Sequence, residues 1–155
     1  MRERLDFKVH EKKIDDEGLI WEMREEFTKA LDAYDRLLKE IEAVRPRSKS
    51  ETHKKNAIIA YLFLRKGAVF LKTGNLDSGE RLMREALIYA NRSADSVVVG
   101  RAKLGLGVFY GSSGRLEEGE RLLAEAFSLF SEGEGLDSKQ GAGWSLLNLG
   151  GLYGK

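Results

Sequence analysis

The sequence predicts an all-α protein built from stacked pairs of antiparallel helices, and three observations support this fold class. Pro46 is the only proline among 155 residues, which leaves room for long uninterrupted helices. Apolar residues recur at the three-and-four spacing of a helix face in the first third of the chain. Beyond it, a unit of about 40 residues occurs twice and then begins again. Helix pairs that repeat in this way cannot bury their apolar faces alone, so we expect them to stack.

Residues 1–15 are interpreted as an N-terminal arm whose structure the sequence leaves open. Leu5, Phe7 and Val9 alternate with polar residues as in a strand, whereas the surrounding charges suggest a frayed arm. The first residues lack the continuous apolar core of a signal peptide.

Residues 16–45 are predicted to form one long amphipathic helix, from about Asp16 to Val44, which Pro46 ends. Its apolar positions keep helical spacing without a break: Leu19, Ile20, Met23, Phe27, Ala30, Leu31, Tyr34, Leu37, Leu38, Ile41 and Val44. We expect this helix to cap the first repeat, as the degenerate second half of an earlier unit. A coiled-coil arm is the alternative, because the stripe continues for nearly four heptads.

Residues 46–54 are predicted to be a basic linker that leads into a helix near Ser50. A patch for nucleic acid or for an acidic partner is conceivable there. No aromatic residues interleave with the basic ones, as single-strand binding would favour. A solvated linker is therefore the preferred interpretation.

The repeat is found by comparing the chain with itself. Residues 74–86, GNLDSGERLMREA, match residues 114–126, GRLEEGERLLAEA, at eight of 13 positions. Gly67 and Phe70 upstream correspond to Gly107 and Tyr110, and the last residues begin the pattern again. This divides residues 55–155 into units at 55–94 and 95–135 and a partial unit at 136–155.

Each unit contains the sequence signals of two helices joined by a short turn. Gly74 and Gly114 suit the left-handed cap that ends a first helix. Asp77 and Glu80 then resemble a capping box that starts the second helix. Small residues such as Gly67 and Ala86 allow the two helices to approach closely.

This pattern resembles the tetratricopeptide repeat, with its W-x2-L-G-x2-Y and A-x3-F signature. The period of about 40 residues is similar to the longer variety in kinesin light chains and Leu-Gly-Asn-repeat scaffold proteins. The resemblance covers about residues 55–155 and implies a right-handed superhelical stack, an α-solenoid. It departs from the family where Lys66 and Lys103 replace apolar signature residues. The matching residues are Phe63, Gly67, Phe70, Gly79, Met83, Ala86, Leu106, Gly107, Tyr110, Gly119, Leu123, Ala126, Leu146, Leu149, Gly150 and Tyr153.

The resemblance also implies that ligands lie in a concave groove lined by the first helix of each unit. Counting around these helices from the repeat glycines gives the candidate partner-binding residues. They are Tyr61, Leu64 and Arg65 in the first unit, Arg101, Leu104 and Val108 in the second, and Trp144, Leu147 and Asn148 in the third. Apolar members would contact a peptide, and the arginines would form charge-assisted bonds to it. Packing against a terminal helix, or plain solvation of the arginines, is the alternative interpretation.

Nothing in the sequence indicates an enzyme, a cofactor site or a metal site. The histidines, His10 and His53, have no serine or cysteine nucleophile nearby, and cysteine is absent. The glycine-rich stretches at 105–107 and 111–114 lack the Lys-Ser or Lys-Thr of a phosphate loop. Carboxylate pairs such as Glu117 and Glu118 lie where a helix dipole favours them.

The expected function is therefore a protein–protein interaction scaffold or adaptor that binds a peptide or helix. A regulatory sensor module for a signalling peptide or small ligand is the alternative, followed by a nucleic-acid-associated adaptor. A net charge of +1 argues against nucleic acid as a partner, and no apolar run is long enough for a membrane span. A cytoplasmic location is expected. The apolar C-terminal helix, about 142–154, suggests self-association or a longer array.

Overall fold

The computed structural model describes residues 5–153, and within that range the chain is helical and contains no β-strand, which confirms the all-α class. The helices are α1 (Phe7–Ile14), a π-helical turn (Asp15–Leu19), α2 (Ile20–Met23), α3 (Phe27–Glu42), α4 (Lys49–Lys72), α5 (Leu76–Arg92), α6 (Ser96–Ser112), α7 (Leu116–Glu132) and α8 (Leu136–Tyr153). Because α1, the π turn and α2 follow one another without a gap, we call residues 7–23 the N-terminal helical segment. No helix among the described residues combines the length and apolar character that crossing a bilayer needs.

The helices pack in chain order as a stack of pairs. The most extensive contacts lie within the pairs α4–α5 and α6–α7, and α8 then packs against α7. The first helices of successive units, α4 with α6 and α6 with α8, also contact one another. The arrangement is that of a helical repeat stack, as the sequence predicts.

A glycine sets the close approach of the two helices in each repeat. A Cβ atom added to Gly67 would lie 2.9 Å from Met83 Cγ, and one added to Gly107 would lie 2.9 Å from Leu123 Cγ. The bulky residue follows the glycine by 16 positions in both units, so the two repeats use the same helix–helix contact.

An earlier unit of the same design precedes these two, in place of the predicted long helix at 16–45. Gly18 in the N-terminal helical segment packs directly on the ring of Tyr34 in α3, again 16 positions later. Ala30 follows Gly18 by 12 positions, as Gly79 follows Gly67 in the next unit. The chain therefore forms a complete antiparallel pair here, rather than a lone second helix or a coiled-coil arm.

The turn that breaks the predicted helix has the same backbone geometry as the turns inside the other repeats, but a different residue occupies its left-handed position. Glu25 has φ +59°, and it follows Gly18 by the same seven positions that separate Gly74, φ +78°, from its repeat glycine. The amide of Glu26 donates to the Trp21 carbonyl at 2.9 Å, as Asn75 does to Phe70 in the next unit. Since a glutamate stands where glycine is expected, the sequence contains no visible stop signal.

Two further boundaries differ from the sequence predictions. The arm at 1–15 is neither strand nor frayed coil where it is described, because Asp6 caps α1 by accepting a hydrogen bond from the Val9 amide. The predicted linker at 46–54 is mostly helix, because Ser48 caps α4 and the helix starts at Lys49. The helix start is thus close to the expected Ser50. Residues 1–4 of the arm lie outside the described residues.

Candidate functional site

A cavity of about 330 Å³ lies between the first helices α4 and α6, and we call it the first-helix groove. Its walls are mostly apolar. All six candidate residues predicted in the first two units line it. The full lining is Tyr61, Leu64, Arg65, Ala68, Leu71, Met83, Arg101, Leu104, Gly105 and Val108.

The repeat itself brings these side chains together. Leu64 and Leu104 occupy the same place in successive units, as do Ala68 and Val108, so the two helices present matching faces to one space. Gly105 lets the helices come close, since an added Cβ would lie 2.9 Å from Leu64 Cδ2. Met83 reaches the groove from α5. Neither Met83 nor Gly105 is among the site residues predicted from the sequence.

Arg65 lies at one side of the groove and is paired with a buried carboxylate. Its guanidinium is 2.7 Å from Oε1 of Glu22, a side chain with no exposed surface. The same carboxylate accepts hydrogen bonds from Lys72 Nζ at 2.9 Å and from the Tyr34 hydroxyl at 2.7 Å. Burial alone would raise the pKa of Glu22, but the Arg65 charge and these donors outweigh burial and hold the pKa below its usual value.

Arg101 is likewise engaged by its own chain. Its guanidinium forms an ion pair with Glu11 and lies 4.0 Å from Asp137 of α8. It also lies about 6.0 Å from the Tyr61 ring centroid, a cation–π distance. The Tyr61 hydroxyl donates to Asp15 at 2.5 Å, and burial together with this bond raises the pKa of Tyr61.

These contacts place the N-terminal helical segment along the groove. Lys8 Nζ reaches Asp137 at 2.5 Å, so α1 contacts both α6 and α8. The sequence predicts that Arg65 and Arg101 offer charge to a ligand, but the structure pairs both with carboxylates of this segment. A ligand in the groove would therefore contact mainly its apolar walls.

The three candidates in the partial unit lie apart from the cavity. Trp144 and Leu147 are 60% and 68% exposed on α8. The Asn148 side chain donates to the carbonyl of Trp144 at 2.8 Å, so one amide donor is already used within the helix. The structure thus unites six of the nine predicted residues. Trp144 and Leu147 are exposed on α8, whereas Asn148 is partly buried and lines a smaller cavity of about 100 Å³ with Val108 and Leu152.

No grouping of three or more potential metal ligands occurs among residues 5–153. The glycine-rich stretch at 105–107 lies inside α6 rather than in a loop, and Gly111 packs on Leu152 of α8. The glycines therefore serve helix packing in this structure.

Sequence reasoning missed Glu11, Asp15 and Glu22, which face the groove residues. Their spacing places acidic groups along the N-terminal helical segment, a pattern that also fits an ordinary solvated face. Only the folded chain shows that basic and phenolic groups of α4 and α6 lie opposite them.

Comparison with known proteins adds no relative: no protein-family model matches the chain, and no curated protein matches it.

Proposed function

We propose that the chain is a tetratricopeptide-like interaction module that binds a peptide or helix of another protein in the first-helix groove. The observation that carries the proposal is the convergence of six predicted side chains of two repeats on one apolar cavity. A bulky apolar side chain of the ligand would enter between Leu64 and Leu104 and displace water from them.

The ion pairs of the two groove arginines restrict the chemical class of ligand that the groove favours. Since Arg65 and Arg101 are neutralised by Glu22 and Glu11, a strongly acidic ligand gains little from them unless it displaces these partners. We therefore expect an anchor that is apolar rather than anionic. The basic stretch near residue 50 gives little support to a nucleic-acid role, because no aromatic residues interleave with its charges.

A sensor for a small ligand is the second candidate, and the size of the groove favours it. At about 330 Å³ the cavity lies at the lower end of the range of pockets that hold small molecules, roughly 300–1,000 Å³. A small apolar compound that raises the melting temperature of the native chain, but not of a groove-filled variant, would support this candidate.

The test of the main proposal is selection of peptides from a randomised display library on the whole chain. Ala68→Phe fills the groove, and Ile88→Ala, at an exposed position of α5 outside the groove, serves as the control. Selected peptides should bind the Ala68→Phe chain at least tenfold more weakly and the Ile88→Ala chain with unchanged affinity, measured by fluorescence anisotropy. Thermal unfolding checks that both variants are folded.

Two results contradict the proposal. One is a library that yields no peptide with preference for the native chain over Ala68→Phe. The other is a set of peptides whose binding is insensitive to Ala68→Phe, which would place the binding surface elsewhere.

A further inference from the structure

A second cavity, of about 220 Å³, lies between α1, α3 and α4, and it shares no lining residue with the first-helix groove. Because it separates the first helix pair from the first helix of the next unit, we call it the inter-unit cavity. Its wall is formed by aliphatic core residues that are at most 5% exposed: Ile14, Leu37, Ile41, Ile58 and Leu62. The rest of the lining is His10, Lys13, Glu40 and Val44.

In the next unit, an aromatic ring of the chain itself covers the corresponding place. The residues of the two places match at offsets of 49 and 40 positions: Ile41 with Ala90, Ile58 with Val98, and Leu62 with Ala102. The second set belongs to one core cluster, and the Tyr89 side chain packs against it. Glu40 stands where Tyr89 would be, and its carboxylate is 3.2 Å from Lys13 Nζ with both side chains about half exposed. The first unit therefore lacks the phenol ring of the second, and the inter-unit cavity is open beside this position.

His10 adds a hydrogen-bond acceptor to the aliphatic lining. Its Nδ1 lies 2.8 Å from the carbonyl oxygen of Asp6. Since a carbonyl oxygen only accepts, Nδ1 carries the hydrogen, and Nε2 is then the acceptor of the neutral imidazole. The neighbouring charges of Lys13 and Glu40 balance each other as an ion pair. The cavity thus favours an uncharged molecule with one hydrogen-bond donor.

We propose that the inter-unit cavity binds a small neutral phenol, such as a monocyclic alkylphenol. The ring of the ligand contacts the aliphatic wall, as the Tyr89 ring contacts the matching cluster, and its hydroxyl donates to His10 Nε2. The size of the cavity agrees with this class of ligand. An engineered apolar cavity of about 150 Å³ holds benzene, so about 220 Å³ accommodates a benzene ring with roughly two further non-hydrogen atoms.

The test is titration of the whole chain with p-cresol, followed by two-dimensional NMR of the backbone amides. We expect saturable shifts of amide signals in α1, α3 and α4. His10→Leu should weaken the binding of p-cresol about three- to tenfold, the range expected for loss of one hydrogen bond. The same variant should not weaken the binding of p-xylene, in which a methyl group replaces the hydroxyl. Equal weakening for both compounds would show that His10 does not accept from the ligand.

Filling the cavity provides the second arm of the test. Glu40→Tyr restores the residue of the next unit, so its ring should block p-cresol and raise the melting temperature. Glu42→Tyr, at an exposed position of the same helix, is the matched control and should do neither. Val44→Phe, from another position of the lining, should also weaken binding. Ala68→Phe should leave it unchanged, because Ala68 lines only the first-helix groove.

Four results overturn the proposal. The first is absence of p-cresol binding to the native chain, and the second is equal binding to the Glu40→Tyr, Val44→Phe and Glu42→Tyr variants. The third is binding that appears only after deletion of residues 1–4, because the beginning of the chain would then be the occupant. The fourth is tighter binding of N-acetyltyrosine amide than of p-cresol, which would make a tyrosine of another protein the occupant.

Discussion

Glu22 carries a charge in a part of the protein that solvent does not reach. Its side chain has no exposed surface and accepts hydrogen bonds from Arg65, Lys72 and Tyr34, which belong to two different helices. Removal of Glu22 would leave the largely buried Arg65 guanidinium and the buried Tyr34 hydroxyl without their partner, whereas Lys72, with a side chain 48% exposed, would be solvated. Loss of one partner of a buried ion pair commonly costs about 3–5 kcal/mol. At the scale of single residues, Glu22 is where we expect the fold to be most sensitive.

The substitution Glu22→Gln should therefore lower the free energy of unfolding at neutral pH by roughly 3 kcal/mol, measured by urea denaturation. The pKa of Glu22 is below 4.5 in the folded chain, so the stabilisation from its charge is present above that pH. It is lost as the pH falls through the lowered pKa. The difference between native and Glu22→Gln stabilities should consequently shrink below about pH 4.5.

Glu80→Gln is the matched control, since Glu80 also has a lowered pKa but is 26% exposed. Its effect on stability should be much smaller than that of Glu22→Gln. Equal losses in the two variants, or a Glu22 effect independent of pH, would show that the buried charge does not stabilise the fold.

At the scale of elements, the turn between two helices follows one geometry with two residue types. Gly74 and Gly114 take positive φ at little cost, whereas Glu25 takes φ +59° with a side chain attached. A left-handed conformation costs a residue with a Cβ about 1–2 kcal/mol. Replacement by glycine removes this cost, but the larger conformational freedom of glycine in the unfolded chain offsets part of the stabilisation.

We therefore expect Glu25→Gly to raise the free energy of unfolding by about 0.5–1 kcal/mol, measured as a higher melting temperature. The converse change, Gly74→Ala, should lower stability by about 1 kcal/mol, although an added Cβ there meets no atom within 4 Å. Destabilisation by Glu25→Gly would mean that the glutamate side chain contributes more than its backbone conformation costs.

At the scale of the whole molecule, residues far apart in the chain hold the N-terminal helical segment on the stack. Glu11 and Arg101, separated by 90 positions, form an ion pair with side chains 17% and 27% exposed. Lys8 and Asp137 add a more exposed contact to α8. These pairs link the N-terminal helical segment to the repeat at 95–135 and to α8.

A double-mutant cycle of Glu11→Gln and Arg101→Gln should give a coupling energy of about 1 kcal/mol in urea denaturation, because the pair is partly screened from water. The pair Lys12 and Asp16 is the control, with side chains 78% and 60% exposed, and its coupling should be below detection. Zero coupling between Glu11 and Arg101 would indicate that apolar packing alone holds the segment.

The part of the site that the sequence predicted is the part that depends on local periodicity. Leu64, Leu104 and Val108 were found because helical spacing from a repeat glycine determines which way each side chain points. The ion pairs of Arg65 and Arg101 could not be predicted, because their partners Glu22 and Glu11 belong to an earlier unit that precedes the repeats at a different spacing. Gly18 precedes Gly67 by 49 positions rather than 40, so comparison at one fixed offset does not align them.

The sequence by itself determined the helical class, the two central repeats and the inward faces of their first helices, since each depends on contacts between residues close in the chain. Tertiary structure alone decided that Glu22 is buried and that the groove arginines are already paired. Those outcomes depend on side chains 12 to 90 positions apart meeting in space, and no local pattern encodes such distances.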